Sequence, residues 1–284
     1  MKKFLKIAAA GVFALAATTS AAFAGATAQP GETVGLASGA PLPEGVYFVN
    51  TLDWGVRKLP GQDAKSLVTI PIIAWSTPWS IFGGNLQLIG ATPAIHADGP
   101  GAADNYGFYN PILAARIAWD LGGGFGFSYL SGNYFNVGER GIRVPANTWR
   151  QDFAISYTGD GWNLTANLLW GITWDTSKFA GNKTANGFNL DLTATKTFGK
   201  WEIGAVGFGS TEYDRPNNAL GGKMKQFAVG PLVGYNFGPV ILQAYLTRDV
   251  YQRNMGGKDT RGWTRVIIPL WTPETPAAPL VTKY

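Results

Sequence analysis

The segment from Gly161 to Asp175, GWNLTANLLWGITWD, alternates apolar and polar side chains with a single exception, Leu169. Because successive residues of a β-strand point to opposite faces, this pattern predicts a strand with one apolar and one polar face. At about fifteen residues, the segment is longer than most soluble strands and long enough to cross a membrane when tilted. Trp162 and Trp174 end its apolar face, and tryptophan favours both membrane–water boundaries. We therefore interpret the segment as one strand of a transmembrane β-barrel.

Residues 1–24 have the three parts of a secretory signal peptide: a start with three lysines, an apolar run over Ile7 to Ala17, and the small-x-small sequence Ala22-Phe23-Ala24. The alternative, an N-terminal membrane anchor, needs a longer apolar run. Removal of the three lysines leaves the mature chain with a net charge of about +2, so the high pI does not indicate nucleic-acid binding. Export followed by insertion as strands predicts the outer membrane of a Gram-negative bacterium.

The composition excludes several kinds of chemistry. The chain has no cysteine, which rules out thiolate metal sites, thiol catalysis and disulfides, and it has one histidine, His96. A mean hydropathy of +0.01 accompanies 38 glycines and 11 tryptophans. Apolar residues spread by alternation, rather than gathered in long runs, are typical of an outer-membrane barrel.

About twelve segments have strand-like patterns, and the connections between them alternate between short glycine-containing turns and long polar loops. The segments are roughly 45–55, 64–79, 85–96, 107–120, 124–132, 148–158, 161–175, 187–198, 200–213, 223–237, 239–251 and 262–271. Bacterial outer-membrane barrels keep short turns on the periplasmic side and long loops outside. We therefore predict an all-β fold, a membrane-spanning up-and-down antiparallel β-barrel of about 12 strands, over residues 44–271. The alternative is a soluble sandwich or lipocalin-like barrel with its apolar face inside.

Two flanking segments and three prolines depart from this pattern. Residues 25–43 are rich in Gly, Ala, Pro and Thr without periodicity, which predicts a flexible periplasmic segment, with a plug inside the lumen as the alternative. Residues 272–284 form a Pro-rich C-terminal extension that is not a strand. Pro71, Pro78 and Pro93 predict bulges or rim positions, because proline cannot donate to a strand ladder.

The polar faces of the strands predict a polar lumen. Charges of both signs in a lumen either line a water path or pair and close the barrel, and the sequence leaves both alternatives open. The candidate lumen-lining residues are Arg116, Arg150, Asp152, Asn163, Asn167, Asp191, Glu202 and Arg265. The candidate aromatic girdle consists of Trp119, Trp162, Trp174, Trp201, Tyr235 and Phe237.

Basic residues gather near the predicted outer rim, where they suit either anionic lipopolysaccharide or simple solvation as loop charges. They are Lys223, Lys225, Arg248, Arg253, Lys258 and Arg261. His96 is predicted at the same rim, beside Asp98 and Asp104. Because no G-x-S-x-G sequence accompanies this histidine, we predict no catalytic residue, and a hydrolase is the third choice. No cofactor-binding, metal or nucleic-acid motif is present.

Several motifs, taken in order, resemble the outer-membrane protein family of the meta-pathway of phenol degradation over about residues 42 to 270. They are LPEGVYFVN from Leu42, Thr77-Pro78-Trp79 with Gly83-Gly84-Asn85, Tyr109-Asn110-Pro111 leading to Ala118-Trp119, Gly161-Trp162-Asn163-Leu164, Phe198-Gly199-Lys200-Trp201, and Val229-Gly230-Pro231 with Gly234-Tyr235. Two departures are Leu130-Ser131-Gly132-Asn133-Tyr134, where the family commonly has Pro-Thr-Gly-x-Tyr, and the proline-rich tail. The resemblance implies a transporter-like barrel associated with aromatic or other hydrophobic compounds.

The predicted function is therefore an outer-membrane channel for small solutes, with aromatic or hydrophobic compounds among them. The alternative is a structural or surface-interaction barrel without an open pore. The expected partners are outer-membrane lipid, lipopolysaccharide, a small-molecule solute and the barrel-assembly machinery that inserts such proteins. The sequence specifies neither the solute nor an oligomeric state.

Overall fold

The computed structural model describes residues 28–99, 102–174, 185–214 and 222–273, and they fold into a closed antiparallel β-barrel. The strands are β1 (Gly45–Arg57), β2 (Ala64–Ile81), β3 (Gly84–Ala91), β4 (Ala94–Gly99), β5 (Ala102–Phe108), β6 (Ile112–Gly122), β7 (Phe125–Tyr134), β8 (Thr148–Tyr157), β9 (Trp162–Thr173), β10 (Gly187–Phe198), β11 (Trp201–Glu212), β12 (Lys225–Asn236), β13 (Ile241–Arg253) and β14 (Asp259–Trp271). The barrel closes because β1 pairs with β14, in a register that sets Thr51 opposite Arg265. The predicted signal peptide and most of the C-terminal extension lie outside the described residues. Within the described ranges, no helix has the length and apolarity needed to cross a membrane.

The fourteen segments build a barrel of twelve strands, as predicted, because two strands are each divided in two. Residues 72–81 of β2 pair with β3, and residues 65–69 of β2 pair with β4. Together, β3 and β4 therefore form the third strand of the barrel. In the same way β5 pairs with β4, and β6 pairs with β3. From the sequence, each of these divided strands was predicted as one continuous segment, at 85–96 and 107–120.

Two prolines, Pro71 and Pro93, explain the break between β3 and β4. Thr69 lies opposite Ala94 and Ile72 lies opposite Ala91, so Ile70 and Pro71 face the gap at Thr92 and Pro93. Neither proline has an N–H to give to a ladder between them. The register of β2 is also irregular between Ser76 and Ser80, around Pro78. The predicted irregularities at Pro78 and Pro93 are therefore present, whereas Pro71 keeps its register with Asn50 of β1.

The second interruption, Tyr109 to Pro111, is held by the loop of residues 135–147. The Asn110 side chain donates to the carbonyl of Val144 at 2.7 Å, and the N–H of Tyr109 donates to the Pro93 carbonyl at 2.8 Å. Glu139 covers the open edge of β5, since its N–H donates to the Phe108 carbonyl and its carboxylate accepts from the Phe108 N–H. An uncovered strand edge would be a site for pairing with another chain, and this loop protects it.

Strand β9 shows how the faces are oriented. Trp162, Leu164 and Leu168 are exposed on the outer surface, whereas Asn167 and Leu169 are buried inside the barrel. Exposed Ile203 and Val233 extend the same apolar surface over β11 and β12. The apolar face thus points outward, which is the opposite of the arrangement in a soluble barrel.

The lumen is not uniformly polar, and here the prediction was wrong. One buried apolar cluster includes Val206 and Phe208 of β11, Leu232 of β12, and Trp263 of β14. A second cluster includes Val68, Ile70, Ile95, Tyr109, Ile112 and Tyr134. In β11 the apolar residues switch from odd-numbered positions, Trp201 and Ile203, to even-numbered positions, Val206 and Phe208. The register of β11 with β10 stays regular along its whole length. The second pair must therefore point inward.

Candidate functional site

Residues 28–43, which we call the plug, lie inside the barrel. Their backbone carbonyls accept hydrogen bonds from Asn189 of β10 at 2.8 Å, Gln243 of β13 at 3.1 Å, Ser128 of β7 at 2.7 Å and Ser76 of β2 at 2.7 Å. Because these strands lie on different sides of the barrel, the plug crosses the lumen. This position differs from the flexible periplasmic segment that the sequence predicted, and it agrees with the alternative. Residues 25–27 lie outside the described residues.

The plug consists of three successive backbone turns spaced four residues apart. Its turn hydrogen bonds run from Glu32 to Gln29 at 3.0 Å, from Leu36 to Thr33 at 3.1 Å and from Ala40 to Ala37 at 3.0 Å. The third position of each turn is a glycine: Gly31, Gly35 and Gly39. Gly31 and Gly35 have φ angles of 92° and 83°, which a turn with positive φ at its third position requires. Glycine at every fourth residue is a signal in the sequence from which these turns were not predicted.

Small residues let the plug approach the barrel wall backbone to backbone. A Cβ atom added to Gly39 would lie 2.5 Å from the Ser156 nitrogen and 2.7 Å from the Ile155 carbonyl carbon. A Cβ atom added to Gly126 would lie 2.7 Å from the Gly39 oxygen. In the structure, Ser156 and Thr193 accept hydrogen bonds from the plug N–H groups of Gly39 and Gly35, at 2.8 and 2.7 Å.

Asp191 is an anchor of the first half of the plug. Its carboxylate accepts from the N–H of Gly31 at 3.0 Å, from the N–H of Thr33 at 2.9 Å and from the Thr33 hydroxyl at 2.7 Å. Asn167 donates to the same hydroxyl at 3.1 Å. The side chains of Asp191 and Asn167 are buried, so these hydrogen bonds are shielded from water.

Two arginines also bind the plug. Arg150 forms two hydrogen bonds with Asp152, at 2.9 and 2.7 Å, and an ion pair with Glu32 of the plug. Arg265 donates to the carbonyls of Glu32, at 2.6 Å, and Val34, and its Nε donates to the Thr51 hydroxyl at 2.9 Å. A buried charge that lost these partners would be costly to keep, so the arginines and the plug stabilise one another.

All eight candidate lumen-lining residues lie on the inner face of the strands. Arg116, Asn163, Asn167, Asp191, Arg150 and Arg265 bind the plug directly. Asp152 reaches the plug through Arg150, and Glu202 accepts from Gln243 at 2.8 Å, which in turn binds the Gly35 carbonyl. That these residues line a path for solutes stays a prediction.

A second buried network lies toward the long-loop end of the lumen. Arg57 and Arg261 donate to Asp259 at 3.1 and 2.9 Å, and Arg261 also pairs with Asp53, to which Gln29 of the plug donates. Arg261 was predicted among the basic residues of the outer rim, and this was wrong, since Arg261 is 5% exposed and points inward. The sequence contained a signal for this inward position, because Arg261 and Arg265 are four residues apart and therefore lie on the same face of a regular strand.

The candidate girdle residues lie near the ends of their strands. Trp119, Trp162, Trp201, Tyr235 and Phe237 are near the short turns, and Trp174 follows β9 at the other rim. The rings of Trp201 and Tyr235 have centroids 4.6 Å apart, and the Lys196 ammonium lies 4.8 Å from the centre of the Trp162 ring. Contact with membrane interfaces stays a prediction for these residues.

His96 lies in β4, where its Nε2 atom contacts the Asp104 carboxylate, and both side chains are largely exposed. Asp98 lies opposite Lys65 in the pairing of β2 with β4. The histidine thus sits on the outer side of a hairpin, away from the lumen networks. Within the part of the chain that the structure describes, no three His, Asp or Glu side chains are grouped to hold a metal ion.

A family model and several solved structures are similar to this chain. The model of the family described as Putative MetA-pathway of phenol degradation matches residues 28–266. An outer membrane channel from Pseudomonas putida F1 has a TM-score of 0.61 at 15% identity, covering 81% of this chain and 97% of that chain. The beta domain of the Bordetella autotransporter BrkA has a TM-score of 0.46 at 14% identity, covering 79% of this chain and 98% of that chain. No curated relative matches the chain significantly.

Proposed function

The chain belongs to the family described as Putative MetA-pathway of phenol degradation, and on that premise we propose that it passes small solutes across the outer membrane. The solutes are small aromatic or other hydrophobic compounds, and they pass when the plug shifts. This function is that of a channel and not of an enzyme. The single observation that carries the proposal is a plug held in the lumen by hydrogen bonds and ion pairs with separate side chains of the wall.

The inner surface supports the choice of solute. A twelve-stranded barrel lies between the eight-stranded kind that side chains fill and the sixteen-stranded kind with a wide aqueous channel. Its lumen carries two apolar clusters, one against Val34 of the plug and one between β2 and β7. A hydrophobic solute that displaced the plug from Phe208 and Trp263 would meet an apolar wall, because both rings line that side.

The second candidate, a barrel with a structural or surface role, has an observation of its own. The lumen charges pair with each other and with the plug, as in the group formed by Glu32, Arg150 and Asp152. Buried charges that are paired in this way favour a permanently closed barrel. The two candidates differ in whether the plug ever leaves its contacts.

Conductance in a planar bilayer distinguishes the two. We expect the refolded mature protein to show rare or small conductance steps, and a variant without residues 25–43 to show frequent and larger ones. Liposomes containing the shortened variant should take up a phenol-like solute faster than liposomes containing the full mature chain. No conductance and no uptake in either protein, with both showing the heat-modifiable mobility of folded barrels, would support the structural role.

A further inference from the structure

The outer surface carries an apolar groove over β11 to β14 and β1. Ala244, Gly262 and Thr264 have small side chains on this surface, and the bulky side chains of Trp54 and Leu246 rise beside them. The groove encloses about 620 Å³. A second depression of about 380 Å³, which shares Leu52, Val233, Ala244 and Thr264 with it, continues toward the short-turn rim.

Gly262 leaves the floor of the groove open. A Cβ atom added there would have no heavy atom within 4 Å, so the space above Gly262 is open to the surroundings of the barrel. Trp54 lies opposite Gly262 in the pairing of β1 with β14, and its side chain is 57% exposed. A flexible hydrocarbon chain fits such a groove, because it fills the empty volume and covers the exposed tryptophan.

Four cations lie on the outer face that carries the groove, at the end of the barrel with the long loops. Lys225, Arg248, Arg253 and Lys258 are all exposed. Lys225 lies directly opposite Arg253, and Arg248 lies two residues beyond Leu246 on the same face. Like charges opposite each other on a sheet destabilise it unless an anion lies between them. Among the described residues, no carboxylate forms an ion pair with any of the four cations.

Two lysines beside this face, at the end of β1 and in β2, have acidic neighbours. Lys58 forms an ion pair with Asp63, and Lys65 of β2 lies opposite Asp98 of β4. Among the described residues, Lys225, Arg248, Arg253 and Lys258 thus form a group of four exposed cations directly above the groove. Charge and apolar surface thus meet on one side of the barrel.

We infer that this face is a binding site for one lipopolysaccharide molecule of the outer leaflet. The phosphates of its lipid A part bind the cluster of Lys225, Arg248, Arg253 and Lys258, and an acyl chain lies in the groove over Gly262. The depth agrees with this assignment. From Arg248 to Leu242 the strand rises about 20 Å, which a tilt of about 40° reduces to about 15 Å, the thickness of one hydrocarbon leaflet.

Native mass spectrometry of the refolded mature protein in detergent, titrated with bisphosphorylated lipid A, tests the site. We expect the triple variant K225Q/R248Q/R253Q to bind this lipid at least tenfold more weakly than the unchanged protein, because charge-assisted contacts to phosphate are lost. Its binding of dephosphorylated lipid A should stay unchanged. Gly262→Phe should weaken binding of both lipids, because the ring fills the groove.

Two matched controls accompany these variants. K58Q/K65Q/K196Q removes the same number of cations elsewhere on the outer surface, and Ala194→Phe adds a ring to the outer face of β10. Both should bind lipid A like the unchanged protein, and all variants should keep heat-modifiable mobility. Unchanged affinity in K225Q/R248Q/R253Q, an equal loss in the control triple variant, or displacement of lipid A by equimolar phosphatidylglycerol would each overturn the assignment.

Discussion

The carboxylate of Asp191 holds Thr33 by two hydrogen bonds, one from the backbone N–H at 2.9 Å and one from the hydroxyl at 2.7 Å. One residue belongs to the wall of the barrel and the other to the plug, 158 positions earlier in the chain. A third hydrogen bond comes from the N–H of Gly31. One wall carboxylate thus fixes the first two turns of the plug, which makes Asp191 the most direct point at which to loosen it.

We expect Asp191→Asn to loosen the plug without unfolding the barrel. Hydrogen bonds to a charged group contribute about 1.5–3 kcal/mol each, and the neutral amide is a weaker acceptor for the same donors. Hydrogen exchange measured by mass spectrometry should become faster at Gly31 and Thr33. The control is Asp120→Asn at a short turn, where the carboxylate accepts from the Gly122 N–H. If exchange of the plug amides is equal in both variants, Asp191 does not anchor the plug.

A disulfide between Thr33→Cys and Asn167→Cys should lock the plug in place. The Asn167 amide donates to the Thr33 hydroxyl at 3.1 Å, so the two side chains meet, and the chain has no cysteine of its own to compete. Oxidation should abolish the rare conductance steps expected for the mature protein, and reduction should restore them. Thr33→Cys alone should not respond to oxidant. Equal conductance of the oxidised and reduced double variant would show that solutes do not need the plug to move.

Leu168→Arg should reduce the stability of the barrel by about 2–4 kcal/mol, because it places a charge on the outer face near the middle of β9, where the membrane core would surround it. Leu121→Arg puts the same change at the short-turn end of β6, where the cost falls to about 0–1 kcal/mol. Urea unfolding in lipid vesicles, followed by tryptophan fluorescence, measures the difference. Equal losses of stability would mean that Leu168 does not face the membrane core.

Strand periodicity carried most of the prediction of the fold. Alternation places Leu168 and Asn167 on opposite faces of a regular strand, and the length of the strand and the tryptophans at its ends predicted that the apolar face points outward. Alternation failed where apolar residues occur on both parities, as at Ile203 and Phe208, since composition cannot say which face is buried. The divided strands required knowledge of pairing, because Pro71 and Pro93 act together only when their strands are neighbours.

The plug shows a different limit of structure prediction from sequence. Its backbone is fixed by single side chains that are far away in sequence, such as Arg265 on the Val34 carbonyl and Asp191 on Thr33. No local pattern reports such contacts. The glycines at every fourth position are a local signal for turns, but where those turns lie depends on the small inward residues of the wall, which leave room for them inside the barrel.

Gly39→Ala should displace the last turn of the plug. The added methyl group would lie within 2.8 Å of backbone atoms of Ile155 and Ser156, which belong to a strand paired on both sides and unable to move away. We expect faster hydrogen exchange at Gly39 and Ala40, together with more frequent conductance steps, while heat-modifiable mobility stays unchanged. Gly262→Ala is the matched control, because its new methyl group meets open space on the outer surface. If Gly39→Ala leaves exchange and conductance unchanged, the close packing of the plug against β8 does not hold it in the lumen.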